Sequence, residues 1–388
     1  MSKPKTERWT SLDQFRGYAV CGMIVVNFLG NYACCPRILR HTNDYCSYAD
    51  TIMPNFLFAV GLAIAIVWNR IAADDLDGKR RIQGKLIKRS IALMIVALLI
   101  YFPWGQEDLR TKILKTDFWF AIWKRDWFQT LTHIAWTTLW IVPILPSRWP
   151  IRIAWIAGGA LAHAALSELV YFQWVHANPG AIDGGPLGFL TWSIPATVGL
   201  WAGQQWNQLS PTKWFVISCA LMAVGYLLSC PTRMYDRSRP ATESSQKLAN
   251  SPALSGIQDI ASGKRLSWAE PPFVPPPTWQ HRAWNYWMMS QKAGTLSYLI
   301  FSAGFSLTLF LLFDGLIKQF HIDIGIFRSF GRNAITCYAI QGFLIDGIGG
   351  LLRKDSAAWS VMLALAALIA ALYAFARILE ANKIFIRL

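Results

Sequence analysis

Polar side chains are costly to keep inside hydrocarbon, so those lying within the hydrophobic blocks of this chain are the first place to look for chemistry. The first block carries Ser11-Leu-Asp-Gln-Phe-Arg-Gly-Tyr18 and ends in Met23-Ile-Val-Val-Asn27. Asp13 and Arg16 stand three apart, so on a helix they share a face and can pair. Asn27 falls about three turns above Arg16, near the far end of the same helix. His41, Asn43 and Asp44 follow in a short connection, and Ser47-Tyr-Ala-Asp50-Thr-Ile-Met-Pro54 opens the second block, with Phe56, Phe58 and Gly61 beyond. Asp50 suits a helix N-terminus, where a carboxylate meets the positive end of the dipole. Carboxylates, a guanidinium, an amide and an imidazole together offer ion pairing, hydrogen-bond donation and proton transfer. A second imidazole, His133, lies inside a later block and reads as a core histidine, while His163 and His176 read as structural.

The elements that must hold these groups are membrane helices. The 388 residues are 54% hydrophobic and only 15% charged, and the mean hydropathy is +0.31. A soluble domain carries about a quarter charged residues, and its segments show polar faces that these blocks lack. The blocks predict ten spans, at 12–30, 47–68, 86–104, 127–146, 151–173, 187–205, 213–230, 294–317, 328–350 and 357–378. Several of the twenty tryptophans stand at block edges, as interfacial anchors do. With the N-terminus inside, the short cytoplasmic segments hold eighteen Lys and Arg against nine in the short outer ones, which is the positive-inside bias. The expected fold is therefore an all-α, polytopic bundle of about ten transmembrane helices in the cell membrane, with both termini cytoplasmic. The net charge of +15 sits at block ends, not on one amphipathic face, so nucleic acid is not an expected partner. The first block carries Asp13 and Arg16 and continues as a spanning helix, so no cleavable signal peptide is expected.

The connection 231–293 differs in kind. It is rich in Pro, Ser and Gln and contains Pro271-Pro-Phe-Val-Pro-Pro-Pro277, which favours extended polyproline structure over a packed unit. It is expected outside, as an external loop of a single domain over 1–388. No internal repeat of fixed period is visible. Cys34, Cys35 and Cys46 share the first outer loop, where either a disulfide from Cys46 or free thiols fit, and no cysteine spacing suits a metal site.

The first motif, Ser-Leu-Asp-x-Phe-Arg-Gly with Met-x-x-x-Asn and then His…Ala-Asp-x-x-x-Pro-x-Phe-x-Phe-x-x-Gly, resembles the catalytic domain of heparan-α-glucosaminide N-acetyltransferase and its bacterial relatives. Ser290-Gln-Lys292…Leu296-Ser297-Tyr298 and Gly331-Arg-Asn333-Ala-Ile resemble two further blocks of that family, and Gly185–Gly203 its Gly-rich helix more loosely. The resemblance implies an acyltransferase that takes an acetyl group from cytosolic acetyl-CoA, as co-substrate, and passes it to the amine or hydroxyl of an extracytoplasmic sugar or glycan. Carried over by position, His41 is the catalytic histidine and Asn27 its polar neighbour, with Asp50, Asp13, Arg16 and His133 in support. Imidazole can deprotonate the acceptor or take the acetyl group itself, and an amide can hold the oxyanion. Lys292, Asn333, Arg16 and the basic inner loop Lys79–Arg89 are the candidates for coenzyme A. The chain departs from the family in having Gln129-Thr-Leu-Thr-His133 where a Leu-Gln-Arg segment is usual. A multi-pass transporter of a small polar solute is the alternative reading, a scaffold using the Pro-rich loop is a third, and a homodimer is left open.

Overall fold

The computed structural model describes residues 9–72, 74–104, 108–242 and 247–384; the two chain ends, whose side of the membrane the sequence predicts, lie outside the described residues. The chain is all-helical, and no β-strand forms among the described residues. The helices that matter here are α1 (Thr10–Leu29), α2 (Ile52–Trp68), α3 (Leu76–Tyr101), α4 (Thr130–Ile141), α5 (Trp149–Leu166), α6 (Phe189–Gln205), α7 (Pro211–Ser229), α8 (Leu296–Lys318), α9 (Gly325–Arg332), α10 (Ala334–Gly349) and α11 (Ala358–Ala381). Each of the ten predicted spans coincides with helix. Among the described residues, five helical stretches are long and apolar enough to cross a membrane: those built on α2, α5, α7, α8 and α11.

Burial sorts those five into two classes. The apolar windows of α2 and α8 are 72% and 61% buried, whereas those of α5, α7 and α11 are only 28% buried. The first two form the centre, and the other three turn residues such as Leu161, Val216 and Leu363 outward. Helices that expose apolar side chains on one face and bury them on the other belong at a bundle's lipid-facing rim.

Small residues set how closely the central helices approach. A Cβ on Gly61 of α2 would lie 1.9 Å from the Ala196 carbonyl oxygen of α6, and one on Gly199 of α6 would lie 2.1 Å from that of Phe58. Between α1 and α9 the approach is closer still, with 1.7 Å from Gly17 to the Phe327 oxygen and from Gly331 to the Asp13 oxygen. Only glycine fits at such contacts, and packing of this kind holds membrane helices together where lipid removes the hydrophobic drive.

Three expectations need correction. The span predicted at 328–350 is two helices, α9 and α10, which meet at a break at Asn333 (φ −115°, ψ 29°); the tight seat of Gly331 on α1 holds the first piece against Asp13 and Gly17. The basic stretch before the third span is not a loop. It forms the first turns of α3, capped by the Asp75 carboxylate, which accepts from the Gly78 N–H at 2.7 Å; lysine and arginine are good helix formers. Last, the described part of 231–293 is packed, not extended. Phe273 lies at φ +72° and interrupts the proline run, its N–H donates to the Cys46 carbonyl at 2.9 Å, and its ring packs on Phe301 and Phe305 of α8. Arg282, 1% exposed, ties the loop together through Asp236 at 2.5 Å and Glu270 at 2.7 Å. All seven cysteines are free thiols.

Candidate active site

Asp50 anchors the site. It stands in the single turn that leads into α2, completely buried, and its Oδ2 accepts from both the N–H and the hydroxyl of Ser47 at 2.9 Å. Its main-chain carbonyl accepts from the Tyr298 hydroxyl of α8 at 2.5 Å. With one carboxylate oxygen thus occupied, the other, Oδ1, lies 2.9 Å from His41 Nδ1. Gln291 Oε1 lies at the same distance from Nδ1. Two acceptors on Nδ1 fix the proton there, so Nε2 carries the lone pair. The His41 side chain is 48% exposed and lines a cavity of about 500 Å³.

The electrostatics sharpen this. Burial alone lowers the proton affinity of His41, but the hydrogen bond and charge of Asp50, with Asp183 and Gln291 behind them, outweigh it and set the pKa above the usual 6.5. Gln291 links His41 onward: its Nε2 donates to Asp183 Oδ1 at 2.8 Å. Asp183 is 4% exposed, and burial pushes it up to about 6 against the pull of His41 and Gln291. Its carbonyl accepts from Trp192 Nε1 at 2.7 Å, which pins the turn to α6. Lys292 and Arg125 lie on the same wall; burial, then the Arg125 charge, lowers the pKa of Lys292.

Asn27, in the last turns of α1, is exposed to the same cavity. A second cavity of about 550 Å³ opens toward the other end of the bundle, lined by Asp13 and four arginines: Arg16, Arg70, Arg89 and Arg332. The two cavities share three lining residues, Phe56, Thr130 and Tyr338, which form the partition between them.

The structure therefore gathers His41, Asn27 and Lys292 on the first cavity with Asp50 behind His41, and places Asp13 and Arg16 on the second. His133 lines neither cavity. It is completely buried between Phe128 and Trp192, under the turn that carries Asp183, and a Cβ on Gly188 would lie 2.9 Å from its ring. Asn333, 2% exposed, also lines neither; its amide donates to the Ser329 carbonyl at 3.2 Å across the α9–α10 break. Sequence reasoning missed Gln291, Asp183, Tyr338, Arg70 and Arg332 as site residues. Gln291 stands beside Lys292 in a motif already singled out, and Asp183 is the lone carboxylate of a Gly- and Pro-rich turn; nothing in the sequence marks Tyr338.

Among the described residues no group of His, Cys, Asp and Glu is placed to hold a metal ion. No curated protein matches the chain. The motif blocks around Gln291 and Asn333 fall outside the family match, which spans α1 to the start of α7 and includes Asn27, His41, Asp50 and Asp183. Over residues 8–213, more than half of the sequence, the chain matches the model of the family heparan-alpha-glucosaminide N-acetyltransferase, catalytic, and it belongs to that family.

Proposed function

We propose that the protein is a membrane-bound acetyltransferase that takes an acetyl group from cytosolic acetyl-CoA and transfers it to the amine or hydroxyl of an extracytoplasmic sugar or glycan. The observation that carries this reading is the pair of abutting cavities, with a His–Asp base on one and four arginines on the other. With ten crossings and both termini in the cytoplasm of a cell membrane, the arginine cavity opens to the cytosol and the His41 cavity to the outside. Guanidinium groups suit the phosphates of coenzyme A, and a helix of about 20 residues covers roughly 30 Å, so the pantetheine arm must bridge from one cavity to the other. His41 Nε2 takes the proton of the acceptor's amine or hydroxyl as it attacks the thioester carbon. Asp50 holds the tautomer that makes this possible and stabilises the imidazolium that forms. The proton then passes to the coenzyme A sulfur as the C–S bond breaks, and the Asn27 amide faces the oxyanion.

Cavities that reach toward each other from opposite ends would also serve a transporter of a small polar solute. Thiol release separates the two: purified protein in nanodiscs, given acetyl-CoA and a panel of amino sugars, liberates coenzyme A if it is an acetyltransferase and none if it is a transporter. His41→Ala abolishes that release while leaving donor binding intact.

A further inference from the structure

The partition between the cavities contains a hydroxyl pair. Tyr338, on the first turns of α10, packs against the cluster formed by Met23, Val26, Ala49 and Ile52, and its hydroxyl is hydrogen-bonded to that of Tyr101 at the end of α3. Tyr101 accepts from the Leu131 N–H at 3.3 Å. A phenol has one proton and two lone pairs. Either oxygen of the pair can donate, and the Thr130 hydroxyl is a second hydrogen-bond neighbour of Tyr338. With Tyr101 and Thr130 both donating to the Tyr338 oxygen, its two lone pairs are filled and the Tyr338 proton is left for the cavity. Tyr338 is one of three residues lining both cavities; of the others, Phe56 has no polar atom and Thr130 offers only an alkanol. A phenol, with a pKa of about 10, is the better donor to an oxyanion.

We propose that Tyr338 is a further catalytic residue, whose hydroxyl donates a hydrogen bond to the acyl carbonyl oxygen of the donor in the partition. This deepens the acetyl-transfer reading and rests on it. A donor held by its phosphates in the arginine cavity and attacked from the His41 cavity carries its thioester at the boundary of the two. As the acceptor nitrogen or oxygen bonds to the acyl carbon and its proton passes to His41 Nε2, the carbonyl oxygen takes up negative charge. Tyr338 stabilises that charge from the partition side and Asn27, which lines the first cavity alone, from the other. The oxygen's electron pair re-forms the C=O bond as the C–S bond breaks, the sulfur departs with the C–S pair and takes the proton from Nε2, and both hydroxyls of the tyrosine pair stay protonated.

The test is Tyr338→Phe, which keeps the ring and its packing. Turnover falls by about 10² to 10³, while the dissociation constant for acetyl-CoA stays within about twofold. Tyr101→Phe, which only orients the donor, costs less. A second readout is spectroscopic. In a His41→Ala background, which holds donor without turning it over, the infrared band of the ¹³C-labelled thioester carbonyl moves to lower wavenumber on binding and moves back when Tyr338→Phe is added. Wild-type turnover in Tyr338→Phe, a carbonyl band indifferent to it, or a loss explained wholly by weaker donor binding would each overturn the proposal. A wild-type protein that liberates no coenzyme A with any acceptor instead sinks the acetyl-transfer reading beneath it.

Discussion

Replacing Asp50 by asparagine changes one atom and, through it, the tautomer of His41. Ser47 offers two donors to Oδ2, its N–H and its hydroxyl, both at 2.9 Å. The new amide must therefore keep its oxygen at that position and turn its NH2 toward His41 Nδ1, 2.9 Å away. A donor facing Nδ1–H is repulsive, so the imidazole moves its proton to Nε2, where it can no longer take one from the acceptor. Gln291 Oε1, also 2.9 Å from Nδ1, opposes the switch and keeps the loss from being total. Disabling a general base costs about 10² to 10⁴ in rate, and a wrong tautomer alone has a cost at the upper end of that range. The assay is thiol release in nanodiscs, with donor affinity measured separately. Asp50→Asn should lose at least about a hundredfold in turnover at unchanged donor affinity. Because Ser47 keeps its acceptor, the variant should also fold. Turnover within about threefold of wild type would refute the dyad.

Four further outcomes follow from the same geometry. The His41 pKa lies above 6.5 and the base must be neutral, so activity should rise with pH through a midpoint above 6.5; a midpoint at or below it contradicts the pairing with Asp50. Removing an arginine from a phosphate contact costs about 1.5–3 kcal/mol, so Arg89→Gln should raise the donor KM by roughly 10- to 100-fold and leave the acceptor KM unchanged, whereas an unaltered donor KM would remove that cavity from the donor path. A methyl on Gly61 would press on a carbonyl 1.9 Å away, and forcing α2 from α6 should cost about 1–3 kcal/mol; a Gly61→Ala protein with unchanged thermal unfolding shows that the two helices are free to part. For topology, the exposed thiol of Cys34 should react with an impermeant reagent in intact cells, and a cysteine placed at Asp77 should react only after permeabilisation.

Hydrophobic blocks made the helices legible, because hydrocarbon demands long apolar runs and little else. The same signal could not show the α9–α10 break, since a backbone kink seated by Gly331 on Asp13 leaves no trace in hydropathy. At the site, His41, Asn27 and Asp50 could be picked out because their motif resembles that of the family. Their contact could not, because His41 and Asp50 are joined by turns whose course depends on Ser47 and Tyr298. Gln291 reaches His41 from 250 residues away, delivered by a loop whose composition suggested an open strand of polyproline. What folds that loop is a buried arginine with two carboxylates and one phenylalanine at positive φ, a set of long-range contacts that no local pattern encodes.

Vectorial transfer in sealed proteoliposomes bears most directly on the acetyltransferase reading. Protein is oriented with its arginine cavity facing the lumen, labelled acetyl-CoA is sealed inside, and an impermeant amino sugar is added outside. Labelled acetyl-sugar should accumulate outside while free coenzyme A stays within, and His41→Ala should produce neither. Product formed only when donor and acceptor share a compartment would contradict transfer through the partition between the two cavities.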